Sequence, residues 1–214
     1  LKTDARSVEL RDKYVAHVAR MFALMGDSAA DAQAHAATVM SIETALARGS
    51  MTLVEQRDPR RLFHPADERK LQALTPTFDW KSYLAGLGLA GNKRYNISQP
   101  RFFQALDFQL RMRRLDEIQT YLRWHVAHVS APFLSRPFVD ENFDYYRKTL
   151  RGVTQVAPLW QRCVVLVDNQ IGEALGEEFV KDNFSPELKA KTLHMTRQIQ
   201  AAMESEIKNL DWMG

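Results

Sequence analysis

The sequence predicts an all-α chain, and three observations carry that expectation. Apolar residues return every three or four positions over long stretches. Sustained alternation, the mark of a half-buried strand, is almost absent. Only 9 Gly and 8 Pro interrupt 214 residues, so the helices they leave room for are long. With 45% hydrophobic and 26% charged side chains, the chain has the composition of a folded protein, enough for one large domain or two small ones.

The first helix is carried by Tyr14, Val18, Met21, Phe22 and Met25 on one face, and Gly26 supplies a left-handed end. Asp27 or Ser28 caps a second helix that runs through Val39, Ile42 and Leu46 to Gly49. From Thr52 to Pro100 the pattern breaks at Asp58-Pro59, His64-Pro65, Thr75-Pro76 and the glycines between Ala85 and Gly91, giving short helices and turns. Tyr95 to Ser98 is the one expected extended piece. No Gly or Pro stands between Pro100 and Pro132, and Leu110, Leu115, Ile118, Leu122 and Val126 keep a helical stripe, so one long helix or two abutting ones are expected there. A shorter helix from Phe138 to Leu150 stops at Gly152, and Pro158 opens the helix that carries Cys163. Ser185-Pro186 then starts a final helix through Leu188, Ile199, Met203, Ile207 and Leu210. Trp80, Trp124, Trp160 and Trp212 sit in apolar helical patterns and are expected to anchor the core.

Several function classes lose support at once. A formal charge of +3, from 29 bases against 26 acids, is weak evidence for a nucleic-acid binder. No run approaches the ~20 apolar residues of a membrane span, and the charged start Leu1-Lys-Thr-Asp-Ala-Arg6 has no signal-peptide core, which reads as a processing boundary. Arg101, Arg111, Arg113, Arg114 and Arg123 invite a phosphate, yet Asp107, Asp116 and Glu117 interleave with them as in an ion-paired helix face.

The candidate chemical sites are sparse. His125 and His128 lie at i and i+3 on one helix, close enough in direction for a shared metal, but no third ligand is signalled and no His is followed by Glu. Cys163 is the only cysteine. No motif nominates a base to activate it, which leaves a core thiol or one half of a disulfide. Gly172 and Gly176 have the spacing of a close helix approach. Neither a phosphate-cradling glycine loop nor a G-x-S-x-G turn occurs, so no catalytic residue is assigned.

The order of landmarks is more informative than any one of them. Arg11-Asp-Lys-Tyr14, Ile42-Glu-Thr-Ala-Leu46, Arg57-Asp58, Phe78-Asp-Trp80-Lys-Ser-Tyr83-Leu84, Gln99-Pro100 and Tyr121-Leu-Arg-Trp124 are followed by Leu159-Trp160-Gln-Arg162-Cys163-Val164. Gly172-Glu-Ala-Leu-Gly176-Glu-Glu-Phe179-Val180 and Leu210-Asp-Trp212-Met213 complete the series. From about Asp4 to Met213 this succession resembles the helical amino-terminal region of the neprilysin and endothelin-converting-enzyme family of zinc metalloendopeptidases, its bacterial members above all.

The resemblance implies that residues 1–214 are an incomplete helical domain, the non-catalytic lobe of a two-lobed peptidase. The zinc domain, with the family's His-Glu-x-x-His, downstream Glu ligand and Asn-Ala-aromatic strand, is absent from this chain. It implies zinc as cofactor of the full-length parent, no metal bound by this chain, and no activity from this chain alone. Its partners would be the catalytic lobe of the same polypeptide and small peptide substrates, with no nucleic acid and no membrane span. In relatives with disulfides the cysteine at the position of Cys163 pairs with an earlier one, here outside the chain, which would place the parent in the periplasm or outside the cell. The competing expectation is a free-standing helical interaction module, with weak nucleic-acid binding as its variant.

Overall fold

A computed structural model describes residues 2–91 and 94–212. Among them the expected all-α architecture is present: ten α-helices and one two-residue ladder. Helix α1 (Ala5–Leu24) starts where Asp4 accepts from the Ser7 amide at 2.9 Å and from its hydroxyl at 2.8 Å. It ends where Gly26 turns at φ 97°, a left-handed conformation that costs glycine little. Ser28, not Asp27, caps α2 (Ala29–Gly49), accepting from the Asp31 amide at 3.1 Å. Asp27 instead takes Arg123 at 3.0 Å and His35 at 2.7 Å.

Gly49 closes α2 for a packing reason. A Cβ there would lie 2.6 Å from that of Ala105 and 3.0 Å from the Arg101 carbonyl, because α6 (Pro100–Met112) crosses α2 at this point. Gly49→Ala is therefore expected to destabilise the chain by about 1–3 kcal/mol, the range for overpacking. Urea unfolding checks this, and an unchanged midpoint would show that α6 gives way freely.

Between α2 and α6 the chain makes the expected short pieces: α3 (Pro59–Leu62), α4 (Glu68–Leu74) and α5 (Trp80–Gly86). They build a small core from Leu71, Trp80, Leu84 and Ile97, with Phe103 of α6 against it. Trp80 Nε1 donates to the buried Thr75 hydroxyl at 2.5 Å, so the indole is satisfied inside. Tyr95–Asn96 is extended, as expected, and pairs antiparallel with Pro65–Ala66.

The segment after Pro100 is two helices. Arg113 (ψ 147°) and Arg114 (ψ 155°) are extended, and the Arg114 amide donates to Glu117 at 3.1 Å, starting α7 (Leu115–Ser130) with its own cap. The Arg113 guanidinium spans the break, reaching Gln109, Glu117 and Ser41. The next helix starts slightly earlier than expected, as α8 (Arg136–Phe143), then widens into a π-helical stretch, Asp144–Thr149. Gly152 (φ 70°) ends it, with the Val153 amide bonding back to Arg147 at 3.0 Å.

The main core lies where α1, α2 and α7 meet. Val18, Met21, Phe22, Ala36, Val39 and Trp124 are all almost wholly buried there. Trp124 packs edge-on against Tyr14 and His17, both on α1. This compact unit ends at Val156, and a second begins at Ala157. The second unit contains α9 (Leu159–Asn183) and α10 (Pro186–Lys208), the latter capped by Ser185, which accepts from the Leu188 amide at 3.2 Å. Among the described residues no helix is long and apolar enough to cross a membrane.

Candidate docking surface

Neither α9 nor α10 has a single buried residue. On α9, Trp160, Val164 and Val167 fall at three- and four-residue spacing before Ile171, and Leu175 and Phe179 at four-residue spacing after it, an apolar stripe in each half of the helix. Trp160 is 66% exposed and Phe179 63%. On α10, Leu188, Met195, Ile199, Met203 and Ile207 make a second exposed stripe. Scattered surface apolar residues need no explanation, but exposed apolar stripes are the kind of surface through which proteins interact.

The Arg162 Nε is enclosed by its own chain and has no hydrogen-bond partner there. The expected burial of Trp160 is not observed, nor is that of Trp212, 76% exposed. Gly172 and Gly176 face no other helix: a Cβ at Gly172 would meet only the Asp168 side chain of α9 itself, and one at Gly176 nothing within 4 Å. Ile171, just before Gly172, departs from helical geometry (φ −134°, ψ 20°) and kinks α9. Cys163 is an exposed free thiol, so it is no core residue of this chain.

The other sequence candidates resolve into structural roles. Arg111 pairs with Asp107 at 2.9 Å, Arg113 with Glu117 at 2.8 Å, Arg114 with Asp116, and Arg123 with Asp27 while lying over the Phe22 ring. The basic residues of this stretch are thus largely spent on neighbouring carboxylates rather than kept for phosphates. His125 packs edge-on against Tyr121 at 4.5 Å, while His128 stacks on Trp124 at 5.4 Å. Among the described residues no group of three or more His, Cys, Asp or Glu converges to hold a metal. The donor set does not fit zinc, and no hydrolytic step is derived through these residues.

The amino-terminal model of peptidase family M13 matches residues 1–214. The chain belongs to peptidase family M13. Neprilysin-3 of Drosophila melanogaster is 27% identical over 99% of this chain and 28% of its own length. The endothelin-converting enzyme homolog of Locusta migratoria is 25% identical over 94% of this chain and 29% of its own. Among solved structures, the zinc metalloprotease Zmp1 of Mycobacterium tuberculosis in its inhibitor complex matches with a TM-score of 0.86 at 29% identity, over 99% of this chain and 32% of that one. Its open state matches at 0.84. The M13 chain described here thus spans under a third of the curated relatives it matches, and the family resemblance carried by the ordered landmarks holds along its length.

Sequence reasoning missed the exposure of the α9 and α10 stripes. Periodicity reports that a face is apolar, not what covers it. It also missed the pairing of His17 with Glu141 at 2.8 Å, because the two stand far apart in sequence.

Proposed function

We propose that this chain is the helical lobe of a zinc-dependent metalloendopeptidase and that it closes over a catalytic lobe carried by the same polypeptide. The observation that carries the reading is the pair of apolar stripes on α9 and α10, uncovered among the described residues of an M13 chain. The zinc, its ligands and the general base then belong to segments outside these residues. Zinc there supplies Lewis-acid polarisation of the peptide carbonyl and an acidified water. The lobe's own contribution is a wall. Helices locked by buried Trp124 and Trp80 hold a fixed shape, so access is set by sterics and small peptides are favoured over folded proteins. That Zmp1 has been solved in open, partially open and inhibitor-bound states supports a lobe that opens and closes.

The test uses the parent polypeptide and the 214-residue chain side by side, on a series of peptides graded in length. The expected result is chelator-sensitive hydrolysis by the parent, falling steeply above a threshold size, and none by the chain alone. Size-independent cleavage, or chelator-sensitive cleavage by the chain alone, would refute it. The same preparation reports on Cys163. Exposed here, it is proposed to bridge to a segment outside the chain in an extracytoplasmic or periplasmic parent. Alkylation of Cys163 in the native parent without prior reduction rules that bridge out.

A further inference from the structure

Two imidazoles in the main core have ring nitrogens with nothing to bond. His17 on α1 is wholly buried, and its Nδ1 lies 2.8 Å from Glu141 Oε1 of α8. Glu141 Oε2 accepts from Arg20 Nε at 2.7 Å, so one carboxylate serves both side chains. The His17 Nε2 is buried and unpartnered, and so is the Nδ1 of His128 on α7. Both rings touch the same two aromatic neighbours. His17 meets Trp124 at 5.7 Å and Tyr146 at 5.4 Å; His128 meets them at 5.4 Å and 4.8 Å. The π-helical stretch that carries Tyr146 also stacks Tyr145 on His17 at 5.1 Å.

Chemistry assigns the protons. Facing a carboxylate, Nδ1 of neutral His17 is the donor, which leaves Nε2 a buried lone pair. A proton added at the Nδ1 of His128 puts a positive charge on a buried atom that has no hydrogen-bond partner. Of the nearby carboxylates, Glu141 is shared with Arg20 and His17 and Asp144 pairs with Lys148 at 2.9 Å, while Glu43 of α2 accepts from the uncharged Tyr14 hydroxyl of α1 at 2.8 Å and has no ion pair among the described residues. The remaining titratable groups around the cluster are Tyr121 and His125 of α7 with Tyr145 and Tyr146, and none offers a free negative charge near neutral pH.

We propose that His128 forms an acid-sensitive latch between α7 and the π-helical stretch: neutral, its ring packs on Trp124 and Tyr146, and proton uptake in the mildly acidic range loosens α7. Burial first, and then the neighbouring His17 and His125, hold His128 below the ordinary histidine range. The sign follows. A base whose folded pKa lies below its unfolded value, about 6.5, contributes stability that is complete above that value and is lost as pH falls through it toward the folded pKa. One proton changes the opening equilibrium by at most about ten-fold per pH unit. Neither the family nor the proposed lobe function requires this device, and it stands or falls apart from them.

The test is amide hydrogen exchange of α7 in the protein at pH 7.5, 6.5 and 5.5, corrected for intrinsic exchange, in wild type and in His128→Phe, His128→Gln, His125→Phe and Glu43→Gln. Two His128 variants are used so that one folded protein suffices. In wild type the opening constant of α7 is expected to rise below pH 6.5, approaching about ten-fold per unit. Either His128 variant removes that dependence, while His125→Phe and Glu43→Gln keep it. A pH-independent wild type overturns the latch, as does a His128 variant that keeps the full response. Loss of the response in His125→Phe or Glu43→Gln assigns the proton elsewhere and overturns it too.

Discussion

Trp124→Ala is expected to cost about 3–5 kcal/mol of stability, the range for deleting a large buried aromatic. Trp124 is 1% exposed and touches Tyr14, His17, Phe22 and His128, so the void opens where α1 and α7 meet. None of its neighbours is positioned to fill it cheaply: Tyr14 is held by its hydroxyl on Glu43, and His17 by Glu141. Phe22 is pinned under the Arg123 guanidinium. Chemical unfolding of the variant against wild type reads the cost. A loss below about 1 kcal/mol would mean that this core collapses around the gap, contrary to close packing.

In a polypeptide that carries the remaining segments of an M13 peptidase, the α9 and α10 stripes are expected to lose most of their exposure. Fully burying a large apolar side chain is worth about 1.5–3 kcal/mol. Trp160, Phe179, Ile171, Ile199 and Met203, all more than half exposed here, together offer one of the larger gains available to the chain on docking. Aromatic and methionine side chains are also the types that dominate the centres of stable interfaces.

Much of the fold could be read from residue spacing, because its determinants are local. Gly26 and Ser28 mark one helix boundary, Ser185-Pro186 another, and the stripes at Val18, Met21 and Phe22 or Val39 and Ile42 name the core face. The break at Arg113 was not legible, since no Gly or Pro makes it. It depends on Glu117 capturing the Arg114 amide and on Arg113 reaching Ser41 from a different helix. The widening at Asp144–Thr149 likewise follows from tertiary demand, as Tyr145 donates its hydroxyl to the Leu10 carbonyl at 3.2 Å and stacks on His17. Trp160 and Trp212 carry the same local signal as Trp80 and Trp124 and differ only in what surrounds them. The spacing of His125 and His128 suggested a shared ligand, yet His128 packs on Trp124 and on Tyr146 of the π-helical stretch, a neighbour no local pattern announces.

We propose that α9 and α10 form an internal surface of a larger M13 peptidase. Oxidative footprinting tests it most directly, comparing the modification rates of Trp160, Phe179, Met195 and Met203 in the isolated chain and in the parent polypeptide. The account predicts rapid modification in the isolated chain and strong protection in the parent, with Leu53 and Phe63 on the first unit's exposed surface as internal references that react alike in both. Equal modification of the stripe residues in the two proteins would contradict it, and would leave the exposed faces of α9 and α10 to a different partner.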